Sequence, residues 1–545
     1  MASLELVLAM LLAVVASGYL VRMLPFAVPL PLVQIALGAV IEGVFQHGVT
    51  MEPDIFFLLF LPPLLFLDGW RIPKEGLFRD KAVILELAFG LVLFTVVGAG
   101  FLIHALLPML PLPVAFALAA IVAPTDPVAL SSITKRVPMP RRLMHILEGE
   151  SLLNDATGLV CFRFAVAAAV TGHFSLATAA LTFLWVAAAG IVSGVLVTGA
   201  INGVQRLLVR RYGEESSSPI LISLLTPFGA YLLAEAIGAS GILAAVAAGM
   251  TMSFVELKGR ALATTRVERT AVWDTVQFTL NGVMFVLLGE QLPDIVIGAI
   301  GAPGSAARIH PFWLVMNALA ISFGLMLLRF VWVWVSLRIS LFKARFQGNP
   351  DTQKPGFRLV LATSLAGVRG GITMAGILTL PYVVASGARF PGRHLAIFMA
   401  TAVIVVSLVL ASVALPRLLK GLNVPDENPL DAEEDLGRRV AALAGMARLD
   451  NIDELRDHQH QHAEIHEKAL GHMQSNYRHR LNGGAANGSD PDKLRVADDT
   501  ERKLRLAVLQ AERDALTALV RDRTISDETG RKLIREVDLV EARFR

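Results

Sequence analysis

The chain has 545 residues, 54% of them hydrophobic, with a net charge of only +3 and a single cysteine, Cys161. This apolar fraction is concentrated before about residue 420, which excludes a water-soluble protein and predicts an all-α polytopic membrane protein. A lone cysteine excludes an internal disulfide. We predict a transmembrane domain over 1–420, in contact with membrane lipid, and a cytoplasmic helical tail over 421–545, which we expect to be regulatory and to bind no nucleic acid.

Apolar runs long enough to cross a bilayer occur thirteen times before the tail. A membrane helix needs about 20 mostly apolar residues. The first run follows an N-terminus that lacks a basic region, so we predict a retained helix and not a cleaved signal. The predicted spans lie at about 4–22, 27–45, 54–70, 82–107, 112–133, 147–171, 175–207, 219–237, 240–256, 272–292, 311–338, 357–383 and 394–417.

Basic residues alternate between the connecting loops. The loops after spans 3, 5, 7, 9 and 11 contain three to five Lys or Arg residues, whereas the loops between them contain at most two. The positive-inside rule therefore places the basic loops in the cytoplasm. With thirteen spans, the N-terminus lies outside and the tail inside a cell inner (plasma) membrane.

The fifth predicted span is interrupted by Pro124, Thr125, Asp126 and Pro127. Proline removes a backbone donor and clashes with the preceding turn, so the helix should unwind here. Unwound backbone at membrane depth is tolerated where it is buried or lines a cavity, and secondary transporters use the freed groups to bind ions. A simple kink is the alternative interpretation.

The sixth predicted span contains three carboxylates and a carboxamide within eight residues, at Glu148, Glu150, Asn154 and Asp155. Ser151 precedes Asp155 by four residues and therefore shares its helix face. An ionised side chain at membrane depth costs at least about 2.5–3.5 kcal/mol, so such residues indicate ion or proton pathways. A carboxylate holds either a cation or a proton, and this competition is the chemistry of a cation/proton exchanger.

The twelfth predicted span carries a second interruption, from Gly367 to Gly371, around Arg369. Close helix packing is the other explanation for these glycines. Two broken segments in opposite halves of the chain, one acidic and one basic, favour a transport core. We also interpret this as the pattern of inverted repeats, although residue identities do not demonstrate the repeat.

Four motifs make the chain similar to a known family: FLPPLLF at 60–66, TDP at 125–127, ESLLND at 150–155 and VRG at 368–370. Over about 1–420 the chain resembles the monovalent cation/proton antiporters of the sodium/proton exchanger type, with a closer likeness to the bacterial NhaP branch. The resemblance implies a homodimer in which each chain has a dimerisation domain and a core domain with two crossed broken helices. It also implies electroneutral one-for-one exchange, because an Asn-Asp pair marks that branch.

The resemblance also implies roles for individual residues. Asp155 would carry the cation and the proton in turn, with Asp126 in the same site. Ser151 and the Thr125 carbonyl would be further cation ligands, and Asn154 would hold the broken fifth helix in place. Hard oxygen ligands of this kind suit a hard cation such as Na⁺.

The chain departs from the family pattern at Asp68. Family members often carry an acid at the position of Leu67, whereas here the acid follows one residue later. One residue corresponds to about 100° around a helix. Asp68 would therefore reach the ion only through water or local unwinding, and an interfacial acid beside Trp70 and Arg71 is the alternative.

Three arginines lie in apolar segments, at Arg163, Arg329 and Arg369. A buried arginine keeps its charge and would orient a nearby acid. We expect Glu150 to pair with Arg369 or Arg329. Arg163 follows Asp155 by eight residues, and it either tunes the site or extends to the outer surface.

These features predict a secondary active transporter that exchanges Na⁺ or Li⁺ for protons without a cofactor. Exchange of K⁺ for protons needs the same oxygen ligands, and the sequence does not separate the two. Broken helices alone also allow a cation channel. An intramembrane enzyme is disfavoured, because no serine or cysteine has an evident histidine partner inside the spans and no Walker-type sequence is present.

The tail contains His458, His462 and His466 at four-residue spacing. This spacing places them on one helix face and is typical of a metal site or a pH sensor. A solvated helix face is the interpretation that we favour. An apolar stripe further along would suit pairing with the tail's own copy or with the transmembrane domain, and its residues are Leu504, Leu506, Leu509, Leu516 and Leu519.

Overall fold

The computed structural model divides the chain into two compact units, Met1–Asn423 and Val424–Arg545. The described residues of the first unit are 2–24, 28–45, 53–72, 77, 79–126, 130, 141–172, 176–213, 217–256, 263–300, 310–346, 356–384 and 387–420. Those of the second are 440, 443–444, 446–447, 471, 474–475, 506, 508–519, 522 and 527–541.

The described part of the first unit is helical, apart from one isolated bridge between Val383 and Arg389. Its helices are α1 Ala2–Met23, α2 Leu30–Phe45, α3 Pro53–Arg71, α4 Lys81–Leu106, α5 Leu112–Val122, α6 Arg141–Thr171, α7 Leu176–Tyr212, α8 Ser217–Ala236, α9 Gly241–Glu256, α10 Ala263–Ile300, α11 Pro311–Phe346, α12 Phe357–Leu365, α13 Gly371–Leu378 and α14 Arg393–Leu419.

Each of the thirteen predicted apolar runs overlaps one of these helices, or in one case the pair α12 and α13, and helices α6, α7, α10 and α11 extend beyond their predicted runs. Within the described residues, eight helices are long and apolar enough to cross a membrane, namely α1, α4, α6, α7, α8, α10, α11 and α14. Helices α2, α5 and α9 are shorter and apolar. A multi-pass membrane architecture is therefore established, while a count of thirteen crossings stays a prediction.

Glycines allow two pairs of helices to cross in backbone contact. A Cβ atom built on Gly38 of α2 would overlap the Val286 carbonyl of α10, and one built on Gly289 of α10 would overlap the Ile35 carbonyl of α2. Gly249 of α9 approaches α3 in the same way. Small residues at helix crossings are the usual means of close packing in membranes.

Replacing Gly38 with alanine is expected to destabilise the protein. The added methyl group would meet backbone atoms of α10, and overpacking of this kind costs about 1–3 kcal/mol. Gly43→Ala on the same helix is the matched control, because among the described residues no atom outside the adjoining helix backbone lies within 4 Å of its Cβ position. Thermal unfolding of the purified variants measures the difference, and equal midpoints would show that α2 and α10 do not cross this closely.

Two helical segments are described within the tail unit, at residues 508–519 and in α15, Asp527–Glu541. Arg513 of the first segment forms ion pairs with Asp538, at 2.6 Å, and Glu541 of the second. Leu509 and Val537 are buried within this unit. The histidines His458, His462 and His466 lie outside the described residues, so their predicted arrangement stays a prediction.

Candidate functional site

The end of helix α5 meets the break between helices α12 and α13 inside the first unit. Helix α5 ends at Val122, two residues before Pro124, and residues 123–126 continue as non-helical backbone. Helices α12 and α13 are separated by non-helical residues 366–370. The Asp126 N–H donates a hydrogen bond of 2.7 Å to the Val368 carbonyl oxygen, so the two breaks contact each other directly.

Two glycines of the second break make room for residues of the site. A Cβ atom on Gly370 would overlap the carboxylate of Asp126, and one on Gly367 would lie 2.9 Å from Cδ of Arg329. A larger residue at either position would displace the neighbouring side chain. Neither contact is visible in the local sequence, because these side chains come from other segments of the chain.

Arg369 links the second break to the end of α5. Its Nε donates to the Val122 carbonyl oxygen at 3.0 Å, and its Nη1 donates to the Gly367 carbonyl oxygen. The last carbonyls of a helix lack partners within the helix and carry partial negative charge. The buried guanidinium therefore supplies a hydrogen-bond donor to the last carbonyl of α5, at the point where the helix ends.

Helix α6 is joined to the first break through Thr125. The Ser151 hydroxyl donates to the Thr125 carbonyl oxygen at 2.7 Å, and Asn154 Nδ2 donates to Thr125 Oγ1 at 3.1 Å. A carbonyl oxygen has two lone pairs, so that of Thr125 keeps capacity for a cation. Asn154 therefore makes the contact that would hold the broken helix.

The carboxylates of Asp68, Asp126 and Asp155 line one cavity beside these breaks. The cavity is about 30 Å³, enough for a water molecule or an ion of similar size. Asp155 is only 5% exposed. Among the described residues no three acidic, histidine or cysteine side chains converge closely enough for a metal centre.

Asp68 reaches the cavity despite its displacement from the family position. It lies on α3, four residues after Leu64, and both residues line the cavity. Leu67, which occupies the family position, is fully buried and is not in the cavity lining. The interfacial alternative considered for Asp68 is therefore not the arrangement observed.

Glu150 pairs with Arg329 of α11. The two guanidinium Nη atoms lie 2.6 and 2.7 Å from its two carboxylate oxygens, and the side chains of Arg329 and Glu150 are only 3% and 1% exposed. Arg329 Nε also donates to the Thr363 carbonyl oxygen at 3.2 Å. One guanidinium thus connects α6, α11 and α12. Of the two arginines considered as partners of Glu150, Arg329 forms the pair and Arg369 does not.

Arg163 lies away from the cavity, on the part of α6 that follows Asp155. Its Nη2 is 3.2 Å from Glu235 Oε1 of α8, and the two side chains are 58% and 34% exposed. Glu235 Oε1 also accepts the Gly241 N–H at the start of α9. Of the two roles considered for Arg163, the structure supports the surface position.

The cavity also contains residues that the sequence motifs do not include. The main ones are Asn281 and Met284 of α10, and Ile372 and Thr373 of α13. Asn281 had one available signal, since it is a carboxamide between Leu280 and Gly282 in a predicted membrane span. The other three are ordinary membrane-helix residues, and only the tertiary structure assigns them to the cavity.

Comparisons with known proteins indicate one family for this chain. The family described as sodium/hydrogen exchanger, transmembrane, matches residues 8–421. An Escherichia coli protein described as an uncharacterized Na(+)/H(+) exchanger, YjcE, is 39% identical over 540 residues, which is 98% of each chain. A Bacillus subtilis protein described as a sodium, potassium, lithium and rubidium/H(+) antiporter is 43% identical over 76% of this chain and 61% of its own.

A solved structure is similar in fold. The sodium proton antiporter MjNhaP1 from Methanocaldococcus jannaschii superposes with a TM-score of 0.57, covering 77% of this chain and 99% of that one. The two sequences are 20% identical.

Proposed function

Because this chain belongs to the sodium/hydrogen exchanger family, whose members are cation/proton transporters and not enzymes, we propose that it exchanges Na⁺ or Li⁺ for H⁺ across the plasma membrane. The exchange takes place at one carboxylate, Asp155, which holds either the cation or the proton. The observation that carries the proposal is the position of this buried acid on a cavity beside the end of α5 and the break between α12 and α13.

The neighbouring groups support cation binding at Asp155. Asp68 and Asp126 add negative charge on the same cavity, and Ser151 and Thr125 add neutral oxygens. An alkali cation is a hard ion that prefers oxygen ligands. We assign the role of cation ligand to these residues and the role of positioning α5 to Asn154.

Transport requires that the cavity open to each side of the membrane in turn. In the proposed cycle a cation displaces the proton on Asp155, the core domain moves against the dimerisation domain, and the cation leaves on the other side. A proton then makes the return passage. We propose that the chain works as a homodimer with thirteen spans, an outside N-terminus and a cytoplasmic tail.

K⁺ is the second candidate substrate. It is favoured by the description of the Bacillus subtilis relative, which includes potassium and rubidium beside sodium and lithium. The same oxygen ligands would serve the larger ions, so the two candidates share the site and differ in ion size.

Exchange is tested with purified protein in liposomes that contain a pH-sensitive dye. With an acidic interior, external Na⁺ or Li⁺ should release protons from the lumen and restore the quenched fluorescence, whereas choline should not. Parallel additions of K⁺ and Rb⁺ define the cation range. Proton release that is absent with every alkali cation would refute the proposal, and cation uptake without proton release would indicate a channel.

Stoichiometry is a separate part of the proposal. Replacement of one cation by one proton moves no net charge, so the exchange rate should be unchanged when an imposed membrane potential is varied. The control is a protonophore, which should collapse the pH gradient in the same vesicles. A rate that depends on the potential would contradict one-for-one exchange while leaving antiport itself intact.

A further inference from the structure

Asn281 contributes the one side-chain amide among the described residues of a cavity that also contains three carboxylates and the hydroxyl groups of Ser151, Thr125 and Thr373. It lies on α10, a helix that carries none of the sequence motifs, and it lines the cavity together with Asp68, Asp126 and Asp155. No lysine, arginine or histidine is among the described lining residues. A carboxamide supplies an oxygen that can coordinate a cation without adding charge.

The two nearby arginines are engaged elsewhere. Arg369 donates to the Val122 and Gly367 carbonyl oxygens, and Arg329 forms its bidentate pair with Glu150. The cavity therefore attracts a cation through its carboxylates. Charge alone attracts alkali cations of every size, so discrimination between them has to come from the number and position of neutral ligands.

Helix α10 packs closely against neighbouring helices around Asn281. At Gly282 a Cβ atom would overlap the Val14 side chain of α1 and would lie 3.1 Å from Gln34 Nε2 of α2. One turn along, the Met284 side chain packs against Gly371 at the start of α13. Packing therefore fixes the position of Asn281 relative to the broken helix α12–α13. A ligand that discriminates between cations needs such a fixed position.

We propose that Asn281 is a specificity-determining residue for the exchanged cation. Its carboxamide oxygen replaces one water molecule of the cation bound at Asp155, and its fixed position on α10 sets the preference among Na⁺, Li⁺, K⁺ and Rb⁺. This inference rests on the proposed function, because it assumes that the cavity binds the transported ion.

The test compares apparent KM and maximal rate for the four cations in the liposome assay. Asn281→Ala should raise apparent KM by about three- to tenfold, the usual effect of one lost polar contact. The increase should differ between cations, so that the Na⁺/K⁺ preference changes, while the maximal rate stays within about twofold. Gln277→Ala is the matched control, because Gln277 lies one turn away on α10 and contacts Arg71.

Asn281→Gln retains the amide at a longer reach, and it should restore part of the affinity with a shifted cation preference. Unchanged KM values in Asn281→Ala, or an equal increase for all four cations, would overturn the proposal. A fall in maximal rate accompanied by a lower unfolding temperature in both variants would overturn it as well, since that result indicates a structural role. Failure of the unmodified protein to exchange any cation would instead refute the proposed function.

Discussion

Asp155→Asn is expected to reduce cation/proton exchange to the level of empty liposomes. The amide has nearly the same shape as the carboxylate, but it can neither release a proton at neutral pH nor neutralise a bound cation. Because Asp155 is buried on the cavity, no solvent-exposed acid can replace it there. The dye assay with saturating Na⁺ measures the loss.

Two further measurements make this result specific. Asp274→Asn is the matched control, because Asp274 pairs with Arg71 at the surface and is 61% exposed, and it should leave exchange unchanged. Na⁺ should also raise the unfolding temperature of the unmodified protein, since a ligand stabilises the state that binds it. Asp155→Asn should abolish that shift, and normal exchange by this variant would mean that the transported ions bind elsewhere.

Arg329→Met is expected to cause the largest loss of stability among the arginine variants. It removes both hydrogen bonds to Glu150 and leaves a carboxylate buried without its charge partner. Breaking a buried pair in this way costs about 3–5 kcal/mol. Thermal unfolding in detergent measures the change, and the yield of folded protein should fall with it.

The double variant Glu150→Gln with Arg329→Met provides the first control. It removes the stranded charge, so it should unfold at a higher temperature than Arg329→Met alone. Arg163→Met provides the second, because the exposed pair with Glu235 should be worth less than about 1 kcal/mol. Equal losses in the Arg163 and Arg329 variants would contradict the difference in burial on which this prediction depends.

The amino-acid sequence by itself determined the class of protein, and it indicated the segment in which we propose the site. Membrane insertion follows from long apolar runs, and helix breaks follow from proline and glycine, so both are local properties of the chain. The same holds for the segment around Asn154 and Asp155, whose acids stand out because their surroundings are apolar. The family comparison, over residues 8–421, confirms the class of protein.

The tertiary structure alone decided which groups meet. Glu150 had two arginines as candidate partners, and the pairing with Arg329 joins residues 179 positions apart. Asp68 lines the cavity despite its one-residue shift, and Asn281 enters it from a helix without a motif. These outcomes depend on which helix faces pack together. Periodicity and hydropathy describe each helix separately, so they contain no information about the faces that meet.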